Sequence, residues 1–159
     1  MNVFNVSEIF QFAIRIEENG EKFYREMAAK FGQEMIKDLF LLLADEELLH
    51  KETFTDLLSK GEDYKPHESY PGEYFAYLKA YADILIFNKE QLAKEMEDIS
   101  TVMDALNFAI KREWESISYY NEIKGAVPEG QHSKIEMIVQ EERKHFVKLV
   151  AEKNRLLSA

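Results

Sequence analysis

The sequence predicts an all-α protein: a four-helix bundle made of two antiparallel helix hairpins joined by a long crossover. Three observations point there. Four long segments carry apolar residues at helical spacing with few breakers inside them. The 159 residues include only 6 Gly and 3 Pro, too few turn formers for a sandwich or barrel of many short strands. The chain also echoes itself. Residues 13–17 (Ala-Ile-Arg-Ile-Glu), followed by Phe23-Tyr24, recur 96 positions later as residues 109–113 (Ala-Ile-Lys-Arg-Glu), followed by Tyr119-Tyr120. Glu46-Glu47-Leu-Leu-His50 recurs 95 positions later as Glu141-Glu142-Arg-Lys-His145. At this length one domain covering residues 1–159 is expected.

The first helix reads from about Ser7, a suitable N-cap, to about Lys30, with Phe10, Ala13, Ile14, Tyr24 and Met27 on one stripe. The second runs from about Gln33 to Ser59 and is closed by Gly61. Phe31-Gly32 joins these two, and so short a link makes them antiparallel neighbours. The third helix starts after Ser100-Thr101, with Asp104 in its first turn, and ends near Lys124, just before Gly125. Residues 125–130 turn the chain into the fourth helix, which begins near Gln131 and reaches about Leu157. Between the hairpins, residues 61–72 form a loop containing Pro66 and Pro71. A further helical segment follows from Glu73, broken near Asn88. Four helices with one long crossover describe a ferritin-like bundle better than a simple up-down one.

Composition narrows the function. The chain has 20 Lys+Arg against 30 Asp+Glu, a net charge of −10, and shows no basic face for nucleic acid or an anionic membrane. The start MNVFNVSEIF lacks the basic and apolar regions of a signal peptide, and no run approaches the ~18 apolar residues of a membrane span. A cytoplasmic protein is expected. Cysteine is absent, which removes disulfides, thiol nucleophiles, iron–sulfur clusters and Cys-type zinc sites.

Four glutamates stand where helices should be greasy. Glu17 follows Phe10, Ala13 and Ile14 and precedes Tyr24. Glu47 follows Phe40, Leu43 and Ala44 and precedes Phe54. Glu113 sits among Leu106, Ala109, Ile110, Ile117 and Tyr120, and Glu142 among Ile135, Ile138, Val139, Phe146 and Leu149. An unpaired carboxylate on such a stripe costs several kcal/mol, so something must neutralise it. The midpoint of 17 and 47 is Gly32, and that of 113 and 142 falls between Val127 and Pro128. Each pair therefore shares a height, roughly 22 Å from its turn at ~1.5 Å rise per residue. His50 and His145 follow Glu47 and Glu142 by three positions and project from the same faces. One Glu from each of two helices, with Glu-x-x-His from each of the other two, is a ligand set for two metal ions. Two divalent ions balance four carboxylates. Mixed carboxylate and imidazole ligation suits iron or manganese better than calcium or magnesium, and leaves zinc open.

With these signatures, Ala13-xxx-Glu17 with Phe23-Tyr24, Glu47-x-x-His50, Ala109-xxx-Glu113 with Tyr119-Tyr120, and Glu142-x-x-His145, the chain resembles the rubrerythrin-like branch of the ferritin-like superfamily over nearly its whole length. The resemblance implies a non-haem di-iron centre reacting with hydrogen peroxide or dioxygen. Glu17, Glu47, Glu113 and Glu142 would be its bridging or terminal ligands, with one His per metal. Three departures qualify it. The extra ligand Glu of rubrerythrins, three residues after the third-helix Glu, is Ser116 here. A Cys-bound iron domain cannot form without cysteine. The Met through which bacterioferritins bind haem is Leu48 here, so no haem is expected.

Other features have ordinary readings. Glu129-x-x-His132 lies in a Pro/Gly-rich loop without a partner Glu and is a chance match; His67 is a surface loop residue. Tyr24 and Tyr120 serve equally well as core aromatics or as hydrogen-bond donors to the glutamates. Glu46 and Glu141 read as solvated face residues, the alternative being that they orient a histidine. Trp114, Phe87 and the stretch 70–81 suit packing or an oligomer surface. The leading expectation is a di-iron peroxidase, a homo-dimer or small homo-oligomer drawing electrons from a separate donor protein. Ferritin-type ferroxidation and iron storage is the runner-up, and a dimanganese catalase a minor option. A non-enzymatic bundle tied by zinc is the reading from another class, disfavoured because structural zinc prefers four Cys and His ligands.

Overall fold

The computed structural model describes residues 6–61, 72–84 and 89–159, and among them no strand occurs. Helix α1 spans Val6–Lys30 and α2 Glu34–Gly61. The crossover carries α3, Gly72–Ala82, and α4, Lys89–Glu97. Helix α5 spans Val102–Ile123, a 3-10 turn occupies Lys124–Ala126, and α6 spans Glu129–Leu157. Helices α1 and α2 pack along their length as one hairpin, and α5 and α6 as the other. The expected loop with its prolines, His67, Phe87, Tyr70 and the break at Asn88 lie outside the described residues.

The element ends differ from the sequence reading in four places, and one is α2, which runs on through Gly61 instead of closing at Ser59. Ser7 lies inside the first turn of α1 rather than capping it, because Val6 is buried and extends the helix, and Ser7 Oγ accepts from Gln11 Nε2. Helix α5 stops at Ile123, its last turn tightening into the 3-10 segment. Helix α6 starts at Glu129, two residues earlier than the turn formers suggest. Pro128 stands at its N-cap and accepts from the Gln131 amide at 2.9 Å, while the buried Gln131 side chain donates to the Leu57 carbonyl. Glu129 thus belongs to a helix, and His132 Nε2 lies 3.1 Å from the Val127 carbonyl. The start of α5 follows the sequence closely. Thr101 accepts from the Asp104 amide, Asp104 accepts from the Thr101 amide, and the two close a capping box.

The core divides into two apolar blocks. One gathers Phe10, Phe54, Tyr119, Ile135 and Ile138 near the α5–α6 turn; the other gathers Phe23, Phe40, Leu106 and Leu149 near the α1–α2 turn. Between them lies a layer of buried acidic and imidazole side chains. Helix α3 lies against α5, burying Leu78 and Ala82, with Tyr81 and Tyr74 donating to the carbonyls of Glu115 and Glu122. Trp114 is well exposed. Among the described residues, no helix is long and apolar enough to cross a membrane.

Candidate metal centre

Each of the four long helices delivers its glutamate to the same layer. Glu17, Glu47, Glu113 and Glu142, with His50 and His145, are all at most 4% exposed. Matched distance from the turns aligns the pairs within each hairpin, and the hairpins face each other across the layer. The six side chains form two overlapping groups: Glu17, Glu47, His50 and Glu142, and Glu47, Glu113, Glu142 and His145. Within each group one ligand atom per residue lies within 4.8 Å of the others. Glu47 and Glu142 belong to both groups, whereas Glu17 and Glu113 belong to one each.

Both imidazoles turn Nδ1 inward. His50 Nδ1 lies 2.8 Å from Glu142 Oε1 and 3.6 Å from Glu17 Oε2. His145 Nδ1 lies 3.3 Å from Glu142 Oε2, 3.4 Å from Glu47 Oε1 and 3.5 Å from Glu113 Oε1. The outward nitrogens reach across to the opposite hairpin. His50 Nε2 is 2.6 Å from Glu141 Oε2, and His145 Nε2 is 2.6 Å from Glu46 Oε2, the second contact being less well aligned. Glu46 and Glu141 are partly solvated, 34% and 44% exposed, and at the same time lie against the histidine nitrogens, so both roles read from the sequence are present. Each helix lends its partner's histidine an anchor, and a carboxylate on Nε2 favours the tautomer whose Nδ1 lone pair faces inward.

The tyrosines exchange in the same reciprocal way. Tyr24 on α1 donates to Glu113 Oε1 on α5, and Tyr120 on α5 donates to Glu17 Oε1 on α1 at 2.5 Å. Of the two roles open in the sequence, the hydrogen-bonding one is present in addition to core packing.

The protonation pattern describes a cluster short of positive charge. Burial, then the carboxylates of Glu142, Glu17 and Glu113, push Glu47 well above the ordinary range. Burial, then Glu142, lifts Glu113 to about 8. Burial and Glu17 act on Glu142 in the same sense, but hydrogen bonds from Glu113, His145 and His50 carry it downward. Burial opposes charging of the histidines, yet hydrogen bonds to the surrounding glutamates raise both to about 11. Protons shared among these carboxylates and imidazoles offset the repulsion between the buried charges. Even so, Glu17 Oε2, Glu142 Oε2 and His145 Nδ1 are buried with no aligned hydrogen-bond partner. Inward-facing orphan donors of this kind fit cations, and oxygen with imidazole nitrogen fits iron or manganese.

Sequence reasoning missed the space beside the cluster. A cavity of about 50 Å³ opens between α1 and α5, reaching Glu47 and Glu113 past Gly20, Tyr24 and Ser116. The available signal was Gly20 itself, since glycine inside a helix costs about 1 kcal/mol relative to alanine and needs a reason. A methyl group there would stand 3.1 Å from Glu47 Oε2.

Comparison with known proteins agrees with this geometry. The family model described as Rubrerythrin matches residues 8–153. A crystal structure described as a ferritin-like diiron-carboxylate protein, from Thermotoga maritima, superposes with a TM-score of 0.69. It is 29% identical and the match covers 97% of each chain. No curated protein sequence matches significantly.

Proposed function

Because the chain belongs to the rubrerythrin family, we propose that the cluster holds two iron ions and that the protein reduces hydrogen peroxide with electrons from a separate donor protein. One observation carries this reading: two potential ligand groups share Glu47 and Glu142, each has its own histidine and further glutamate, and a small cavity reaches Glu47 and Glu113. Glu17 and His50 would complete one subsite, and Glu113 and His145 the other. When bound, the iron pair supplies two electrons, one per ion, matching the two that peroxide needs to become water.

The chain's own residues do the rest. Tyr24 and Tyr120 fix the carboxylates of Glu113 and Glu17 by hydrogen bonds to one oxygen each, leaving the other oxygen for a cation. Glu46 and Glu141 hold the histidine planes, so both imidazoles stay stacked, 5.5 Å between ring centroids and 17° apart. The cavity has room for a molecule the size of hydrogen peroxide or dioxygen. Phe23 and Phe108 in its wall limit water around the carboxylates.

The test is metal analysis of protein purified without added metal, followed by anaerobic mixing of the ferrous form with peroxide and with dioxygen. Two irons per chain are expected, with peroxide oxidising them far faster than it oxidises free ferrous ion. Equal rates for bound and free iron would refute the peroxidase. A preference for dioxygen, with mineral loading, would assign iron handling instead.

A further inference from the structure

A second opening adjoins the cavity. A cleft of about 80 Å³ lies between α4 and α5, with Gln91 and Glu95 on one bank and Lys111 on the other. Leu92, Arg112 and Glu115 line both the cleft and the cavity, so the two spaces meet at these side chains. The Arg112 guanidinium stands at the junction. It lies over the Phe108 ring, 5.2 Å from its centroid, and reaches Glu115 at 3.6 Å and Glu95 on α4 at 3.8 Å.

Two observations make that junction more than packing. In the internal echo Arg112 corresponds to Ile16, which lines the same cavity from α1. An aliphatic side chain therefore suits this wall, whereas a guanidinium there needs two carboxylates to hold it. The helix that supplies one of them is lightly seated. Among residues 90–97 of α4 none is buried, and only Leu92, Glu95 and Met96 are half-buried, whereas α3 buries Leu78 and Ala82. The Arg112 and Glu95 side chains are 28% and 36% exposed, and so wet a pair holds weakly. Rotamer exchange of side chains open to water takes picoseconds to nanoseconds, far less than an enzymatic turnover.

Resting on the reading of the cluster as a peroxide-reducing iron pair, we propose that the α4–α5 cleft is the mouth of the cavity and that Arg112 is its gate, setting the size of molecule that reaches Glu47 and Glu113. Held between Glu95 and Glu115, the guanidinium narrows the neck. When it releases Glu95 and turns into the cleft, Leu92 and Phe108 remain as apolar walls, and a small uncharged molecule passes between them. Hydrogen peroxide is uncharged and small enough to use a brief opening. An organic hydroperoxide needs α4 to move as well. The mouth is also balanced in charge: Lys111 and Arg112 stand against Glu95 and Glu115, so no net charge draws an ion inward.

The chain has no cysteine, so a single thiol introduced by Ser116→Cys reports what reaches the cavity wall, where residue 116 is 9% exposed. The full chain, freed of metal with chelator, is treated with methyl and with benzyl methanethiosulfonate, both uncharged, and modification is timed by mass spectrometry. Relative to a free thiol, the methyl reagent should react about tenfold faster than the benzyl one. In that background Arg112→Ala should speed the benzyl reagent about tenfold and the methyl reagent about threefold at most. Glu95 lines the cleft and not the cavity, and Glu95→Gln should speed the benzyl reagent about threefold. Thr101→Ala breaks the capping box of α5 away from the cleft, lowering stability without touching the gate, and should leave both rates unchanged. Benzyl labelling at the parent rate in Arg112→Ala overturns the gate, and so does an equal rise in Thr101→Ala, which would mean entry by unfolding. In iron-loaded chains with Ser116 intact, Arg112→Ala should let tert-butyl hydroperoxide oxidise the ferrous ions about tenfold faster at unchanged iron content. An equal gain with hydrogen peroxide overturns the size selection. The thiol rates need no metal, so their failure leaves the di-iron reading intact. A chain that binds no iron overturns that reading and the substrate named here, whatever the thiol rates.

Discussion

Gly20→Ala should separate the stability of the bundle from its grip on metal. Gly20 lies within α1, where replacing glycine by alanine gains about 1 kcal/mol of helix propensity. Against this, the new methyl group would meet Glu47 Oε2 at 3.1 Å, its Cδ at 3.2 Å and its Cγ at 3.4 Å. Contacts that tight require Glu47 to give by a few tenths of an ångström. In the metal-free protein a side chain can rotate that far, so the propensity gain survives and the melting temperature should rise by about 2–4 °C. In the loaded protein Glu47 must address both subsites and has no such freedom. Displacing a carboxylate from its supported geometry weakens metal affinity about 10–100-fold. A tenfold loss is worth about 1.4 kcal/mol at fixed metal concentration, enough to cancel the helix gain. Calorimetry of both forms, with competitive chelator titration, reads the two effects separately. A variant that binds metal as tightly as wild type, or whose metal-free form melts lower, would show that Gly20 is not there to make room for Glu47.

The shared and unshared glutamates should differ in stoichiometry: Glu17→Ala retains the four residues around Glu113 and should bind one ion per chain, whereas Glu142→Ala strips both groups and should bind none, as counted by native mass spectrometry. Glu141→Gln should loosen His50, and Glu46→Gln His145, each lowering affinity about tenfold in chelator competition while leaving the count at two. In the metal-free protein Glu113 is raised from 4.5 to about 8, and the histidines from 6.5 to about 11, so the folded state binds more protons than the unfolded one across this range. Stability then falls as pH rises from 4.5 through about 8, and a melting temperature that climbed with pH in chelator would contradict it. Loaded protein should show the opposite trend in affinity, because cations displace those protons, so the gap between loaded and metal-free melting temperatures should widen with pH.

The helices and their glutamates were legible because both follow from periodicity and distance from a turn. Glu17 and Glu47 could be paired through Gly32 without knowing any angle between helices. The contacts of Glu46 and Glu141 with the histidines were harder to see, because each is one residue, about 100° of helix, away from the apolar stripe. That rotation points them at solvent on an isolated hairpin; only the opposite hairpin brings a histidine within 2.6 Å. The early start of α6 was hidden because Gly130 looks like part of the turn, while the Gln131 contact with Leu57 that seats the first turn joins residues far apart in sequence. The cavity escaped for another reason. It is made by what Gly20 and Ser116 lack, and missing volume leaves no repeating pattern.

The internal echo explains why the site is symmetrical where it holds charge and asymmetrical elsewhere. Two cations of one kind need equivalent cages, so Glu17 matches Glu113, Glu47 matches Glu142, and each histidine and supporting tyrosine has its counterpart. A small substrate, on the proposed reading, has no such requirement; one way in is enough, and a second would admit unwanted water. The departures from symmetry fall in the cavity wall and beneath the two tyrosines. Gly20 answers to Ser116 beside the cavity, Asn19 to Glu115 and Ile16 to Arg112 in its wall, and Phe23 to Tyr119 beneath the two tyrosines. Arg112 is tied to Glu115 and Glu95 at 3.6 and 3.8 Å, so the crossover helix α4 is held beside the cavity on this side of the bundle. A duplicated hairpin with identical faces would bring together the same glutamates and histidines, but it would open no cavity on one side alone.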